Sequence, residues 1–222
     1  VTARRGYIRF AHRGAPLPGA GGNTLEAFAA ALAAGAHGVE SDVQLTADGV
    51  PVLVHGLPFA RRRPIASLTR AELPAAIPSL ADLYERCGSG FDLALDMAAP
   101  RAAPAVVALA RRYGALDRLW LTYWRLPLIA AWRRAWPQTN LVYPTMFALP
   151  GPLLRRTCRQ ARAAGVDVLN LHHRLLTATT ARTVHAEGLQ LFAWGARDAR
   201  SERRAAALGV DGVFVDMVRK AG

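Results

Sequence analysis

The sequence predicts an α/β fold, a single closed (β/α)8 barrel of the TIM type with a short hairpin-containing insertion after its second strand. Short runs rich in β-branched and apolar residues recur along the chain, and each is followed by an Ala-, Leu- and Arg-rich segment of helical spacing. Glycines mark the passage from helix to the next strand. The length, 222 residues, suits one closed barrel, so the expected domain is 1–222 throughout.

Taken in order, the first strand is Tyr7 to Ala11 and the first helix Thr24 to Ala34, closed by Gly35. The second strand, Gly38 to Val43, leads into the insertion, Leu45 to Pro78. There Ala47-Asp48-Gly49 is a turn signal, Val50 to His55 alternates like a short strand, and Arg61 to Pro64 reads as irregular loop. Helix Ser79 to Cys87 returns the chain to strand Asp92 to Met97, then helix Ala102 to Tyr113 leads to strand Arg118 to Thr122. Helix Leu126 to Trp136 precedes strand Asn140 to Pro144, and helix Pro152 to Ala164 precedes strand Asp167 to Leu171. The last units are helix Ala178 to Glu187, strand Gln190 to Gly195, helix Ser201 to Ala207 and strand Gly212 to Asp216. Gly88, Gly114, Gly165, Gly188 and Gly209 punctuate these joins as left-handed C′ residues.

Apolar types make up 52% of the chain and charged types 20%, without the run of about 18 uncharged apolar residues that a membrane span requires. The segment from Val1 to Phe10 carries arginines but no apolar h-region, so the expected location is the cytoplasm, free or peripheral to its membrane. Cys87 and Cys158 are the only cysteines and read as buried free thiols. A net charge of +12 from 27 arginines and Lys220 favours anionic partners, either phosphates or an acidic membrane surface. The paired arginines, Arg111-Arg112, Arg133-Arg134, Arg155-Arg156 and Arg203-Arg204, sit in helical stretches and read as solvated faces. They show no aromatic interleaving, so nucleic acid is not an expected partner.

Barrel chemistry gathers at the C-terminal ends of strands. Glu40 and Asp42 are two apart on a strand, so both carboxylates face one side, where they repel unless a proton or cation lies between them. Asp96 on the next strand offers a third carboxylate. An all-oxygen set of this kind suits one divalent Mg2+ or Ca2+ rather than zinc. His12 and His55 end neighbouring strands and could act as general base and general acid on opposite sides of a phosphorus. Arg13 offers a planar fork to phosphate oxygens, and Gly14 permits close backbone approach. Trp194 reads equally as a pocket wall and as core. Of the remaining histidines, only His172 and His173 lie where they could reach the mouth; His37 falls in a turn and His185 on a helix.

Four motifs occur in a distinctive order: Ala11-His12-Arg13-Gly14, the stretch Asn23 to Phe28, the stretch Gly35 to Val43, and the stretch Thr46 to His55. Together they resemble the glycerophosphodiester phosphodiesterase family. The similarity continues through Ile77 to Leu80, Asp96, Phe192-Ala193-Trp194 and the stretch Gly209 to Asp216. It implies a metal-dependent barrel enzyme cleaving glycerophosphodiesters to glycerol 3-phosphate and an alcohol. By position, Glu40, Asp42 and Asp96 would bind metal, His12 and His55 would move protons, and Arg13 would hold phosphate.

The chain departs from that pattern at several points. Gly22 stands where the family has an acid, Gly56 where it has an aspartate, Asp96 where glutamate is common, and Ala98 where a lysine is often found. Arg61-Arg62-Arg63 replaces a threonine-rich stretch. The aspartate at 96 is also similar to the sphingomyelinase D-like phospholipases, which implies lysophospholipids as a second substrate class. A non-catalytic barrel that binds phosphate or an anionic membrane is the competing reading.

Overall fold

A computed structural model describes residues 6–16, 21–56, 63–147 and 150–218. Eight parallel strands close into a barrel: β1 (Ile8–His12), β2 (Gly38–Leu45), β4 (Asp92–Asp96), β5 (Leu119–Thr122), β6 (Asn140–Thr145), β7 (Val168–His172), β8 (Gln190–Ala196) and β9 (Gly212–Val215). Closure comes from β1, which pairs with β9 on one side and β2 on the other. Among the described residues seven α-helices cover it: α1 (Leu25–Ala33), α2 (Leu80–Cys87), α3 (Ala103–Arg112), α4 (Leu126–Ala135), α5 (Gly151–Ala163), α6 (Ala178–Ala186) and α7 (Ala199–Ala207).

Strand alternation sorts side chains into two cores. Outward residues such as Ala11, Val39, Val43, Leu93 and Leu95 pack against the helices. Inward residues Phe10, Ala94, Trp120, Val142, Val168, Phe192 and Phe214 form a plug that fills the barrel. Phe10 lies 5.0 Å from Phe214, 5.6 Å from Phe192 and 6.1 Å from Trp120, ring centroid to centroid. Below the plug the indole of Trp120 donates to Asp92 at 3.0 Å. Glycine is required at 38, because a β-carbon there would stand 2.1 Å from the Asp92 carbonyl on the paired strand.

The hairpin forms as expected, though shorter. Strand β3 (Pro51–Leu53) pairs antiparallel with Val43–Leu45, and Thr46 braces the turn by donating to Asp48 at 2.5 Å. Val52, Val54, Ile65, Leu73 and Ile77 give the insertion its own small core. Arg61 and Arg62 lie outside the described residues; Arg63 and Pro64 are irregular and run into short 3-10 turns. All six helix-closing glycines adopt positive φ. Both thiols are free, but only Cys158 is buried; Cys87 is half-exposed, contrary to expectation. No helix among the described residues is long and apolar enough to cross a membrane.

Candidate active site

The inward phase that carries Phe10 and Ala94 into the plug carries His12, Asp42 and Asp96 to the mouth. Register fixes their company. His12 lies level with Glu40, and Asp42 with Asp96. The three acids each bring one oxygen to a group whose members all lie within 4.8 Å of one another. Burial, followed by the charges of Asp96 and Asp42, pushes the Glu40 carboxyl well above its ordinary range. Asp96 is pushed up to about 6, first by its desolvated surroundings and then by Asp42, while Arg13 and His55 pull the other way. Its side chain is exposed to solvent at the end of β4. Three crowded carboxyl groups, of which Glu40 and Asp96 resist ionisation, offer oxygen donors only and fit a hard divalent cation.

Both sequence-predicted histidines join this cluster. The hairpin returns the chain beside β2, where the Val54 amide donates to the Asp42 carbonyl and Gln44 donates to the Gly56 carbonyl. His55 Nδ1 thereby stands 2.9 Å from Asp42 Oδ2. On the other flank, His12 Nε2 lies 3.9 Å from Glu40 Oε2, and its Nδ1 is 2.7 Å from Asp216 Oδ1.

Arg13 is held in an unusual backbone. Arg13, Gly14 and Ala15 all have positive φ, at 52°, 78° and 44°, and two non-glycine residues in this region signal strain held by their surroundings. Asn23, buried and itself at φ 60°, donates its amide to the Arg13 carbonyl and accepts from the Ser41 hydroxyl at 2.8 Å. So held, the Arg13 amide donates to Glu40 at 3.0 Å, and its guanidinium Nε lies 3.9 Å from Asp42. That Nε is buried and has no hydrogen-bond partner among the described residues, which leaves a donor for an anion. The close approach expected of Gly14 is made to α1 rather than to a ligand: a β-carbon there would meet Ala27 at 2.8 Å and the Phe28 amide at 2.9 Å.

Trp194 is half-buried, packs on the plug and meets His172 edge to face at 4.5 Å, so it belongs in part to the core. His172 and His173 reach the rim, where they line a cavity of about 230 Å3 with Arg174, Gly195, Arg197, Asp198 and Ser201. Burial and then the neighbouring charges, Arg174 for His172 and His172 with Arg174 for His173, hold both imidazoles below their ordinary range. His185 pairs with Asp211 and His37 accepts from the Arg9 amide, both away from the mouth. Two residues escaped the sequence reading. Asp216 shares the inward phase of Phe214 at a strand end, which is a legible signal; Asn23 acts through a left-handed backbone that spacing does not reveal.

The sequence model of the glycerophosphoryl diester phosphodiesterase family matches residues 12–76 and 92–220. A curated relative from Macaca fascicularis, glycerophosphodiester phosphodiesterase domain-containing protein 4, is 48% identical over 52 residues, which are 23% of this chain and 8% of that protein. A glycerophosphodiester phosphodiesterase from Thermotoga maritima superposes with a TM-score of 0.80 at 24% identity, covering 97% of each chain. An Oleispira antarctica phosphodiesterase, solved with its product sn-glycerol 3-phosphate, gives 0.80 at 23%, covering 96% of this chain and 94% of its own. At these identities the superpositions speak for the fold, and the family match spans most of the chain. The protein belongs to the glycerophosphoryl diester phosphodiesterase family of enzymes.

Proposed function

We propose that the protein hydrolyses glycerophosphodiesters to glycerol 3-phosphate and an alcohol, using one divalent cation. The observation that carries this reading is the convergence of Glu40, Asp42 and Asp96 with an imidazole on either flank. Glu40, Asp42 and Asp96 would hold the cation, which when bound supplies Lewis-acid polarisation of a phosphoryl oxygen. Arg13, with its unpartnered Nε, orients the phosphate. A carboxylate only accepts, so Asp216 draws the proton of neutral His12 to Nδ1 and leaves Nε2 to take a proton at the mouth. Asp42 imposes the same tautomer on His55. The two imidazoles then divide the roles of base and acid, each contributing about 10²-fold or more.

The direct test is turnover of a panel of glycerophosphodiesters with Mg2+, Ca2+ and Mn2+. Glu40→Ala and His12→Ala should each lose at least about 10²-fold. Full activity in either variant ends the assignment, and phosphate binding without turnover favours the non-catalytic barrel. One observation favours a second substrate class. Beside the mouth, between the starts of α5 and α6, a largely apolar cleft of about 400 Å3 is lined by Leu154, Leu171 and Leu175 and by Thr177, Thr179, Thr180 and Thr183. A cleft of this kind suits an acyl chain, and faster cleavage of a lysophospholipid than of its deacylated counterpart would support that reading.

A further inference from the structure

We infer that the rim of the mouth on the β5–α6 side is a docking surface for an anionic lipid bilayer, a property separate from the reaction. Two independent patterns coincide there. The first is apolar: the large hydrophobic side chains exposed among the described residues are Trp124, Met146, Phe147, Leu153 and Met217. Every one follows the C-terminal end of a strand or starts the next helix, so all five lie at the mouth end of the barrel and none at the floor. Trp124 and Phe147, 65% and 76% exposed, stand on the adjacent loops after β5 and β6, with Leu153 in the first turn of α5. Met217 lies across the mouth after β9.

The second pattern is charge. Between Arg118 and Ala186 the chain has ten arginines and one acid, Asp167, which is itself bonded to Arg133. At the mouth end of this sector Arg125, Arg155, Arg156 and Arg174 have no carboxylate partner among the described residues. Arg125 stands 5.8 Å from the Trp124 ring, so a guanidinium and an indole share one edge of the rim. Apolar tips flanked by unpaired arginines match the acyl boundary and the anionic headgroups of a bilayer. A nucleic acid would be served by the arginines but not by Met146, Phe147 and Leu153 standing in water.

Vesicles of phosphatidylglycerol and phosphatidylcholine, compared with phosphatidylcholine alone, test the surface by co-sedimentation and by quenching of tryptophan fluorescence with brominated lipid. The protein should bind the anionic vesicles at least about tenfold more tightly. Phe147→Ser and Leu153→Ser together should weaken binding about tenfold, and Trp124→Tyr should remove most of the quenching. Arg125→Gln should cost about fivefold, whereas Arg134→Gln, the same charge change at the far end of α4, should change binding less than twofold. The inference is overturned by equal binding to both vesicles, by no binding, or by rim variants that match the parent. It is also overturned if Arg134→Gln loses as much as Arg125→Gln, or if a duplex oligonucleotide displaces the protein and is bound independently of Phe147 and Leu153. Turnover of a soluble diester decides the proposed reaction separately, so either idea can fail while the other stands.

Discussion

Asp92 and Asp96 stand on one strand and face one interior, yet they belong to opposite regions of the barrel. At the floor, Asp92 is buried, accepts from the Trp120 indole and lies beneath a plug of four aromatic rings. At the mouth, Asp96 touches solvent and crowds against Asp42 and Glu40, with its carboxyl raised to about 6. The same alternation of side chains therefore makes a region that holds the fold together and a region that works against it. The floor is tightly packed, whereas the mouth keeps carboxyl groups whose mutual repulsion a proton or a cation relieves.

Exchanging large for small in the plug should give the largest effect. Phe10 is fully buried against Phe214, Phe192 and Trp120, so Phe10→Ala should cost about 3–5 kcal/mol in denaturant unfolding. Glu40→Gln, by contrast, keeps an acceptor for the Arg13 amide and removes a carboxyl that resists ionisation. It should leave the metal-free protein at least as stable at neutral pH while turnover falls about 10²-fold or more. If Glu40→Gln unfolds the protein as Phe10→Ala does, the division between floor and mouth is wrong.

Asp216 sharpens the comparison from the other side, because it supports a mouth residue without joining the acidic group. Its loss removes the partner that fixes the His12 ring. Asp216→Asn should lower kcat roughly tenfold to a hundredfold, with KM and divalent-ion affinity nearly unmoved. A change confined to KM would instead make Asp216 part of substrate binding.

The mouth should also reveal itself through pH. The Asp96 carboxyl keeps its proton to about 6 in the folded chain, while in the unfolded chain it ionises near about 4. Between those values the folded state binds more protons, so stability falls as pH rises. The contribution is complete below the unfolded value and lost as pH passes through the folded one; Glu40 is displaced in the same direction. The melting temperature of the metal-free protein, relative to Asp96→Asn, should therefore decline by a few degrees from about pH 4 to neutrality. Added divalent cation should raise it more at pH 7.5 than at pH 5, and should do little for Asp96→Asn. A pH-independent difference would remove the electrostatic basis of the site.

Most of the barrel could be read from the chain because it is written in short-range terms. Alternation placed Glu40 and Asp42 on one face, and glycines closed the helices. Seven helices and eight barrel strands follow from that local pattern. What stayed hidden depends on long-range approach. Asp216 meets His12 across 204 positions of sequence, and Asn23 holds Arg13 through a backbone conformation that its side-chain type only permits. Gly14 was legible as a place of close contact, but its partner, α1, was not. The clustering of exposed apolar side chains at one end emerges only when loops distant in sequence are brought to the same rim.

Asp96 also offers the finest test, since a glutamate in its place would add one methylene without changing the kind of donor. Mg2+ holds its oxygens at about 2.0–2.1 Å and demands a regular shell, whereas Ca2+ accepts about 2.3–2.6 Å and a looser cage. The three oxygens now lie within 4.8 Å of one another, two of them on aspartates and one on the longer Glu40. A longer side chain at 96 would carry its oxygen towards Glu40 and Asp42, which favours the smaller ion. Asp96→Glu should thus shift the ratio of Mg2+ to Ca2+ affinity towards Mg2+, by less than about tenfold, as read by calorimetric titration. The plug beneath should not register the change, so the denaturant midpoint of the metal-free protein should stay where it is. A shift towards Ca2+ would mean that the added methylene pushes the carboxylate past the other two.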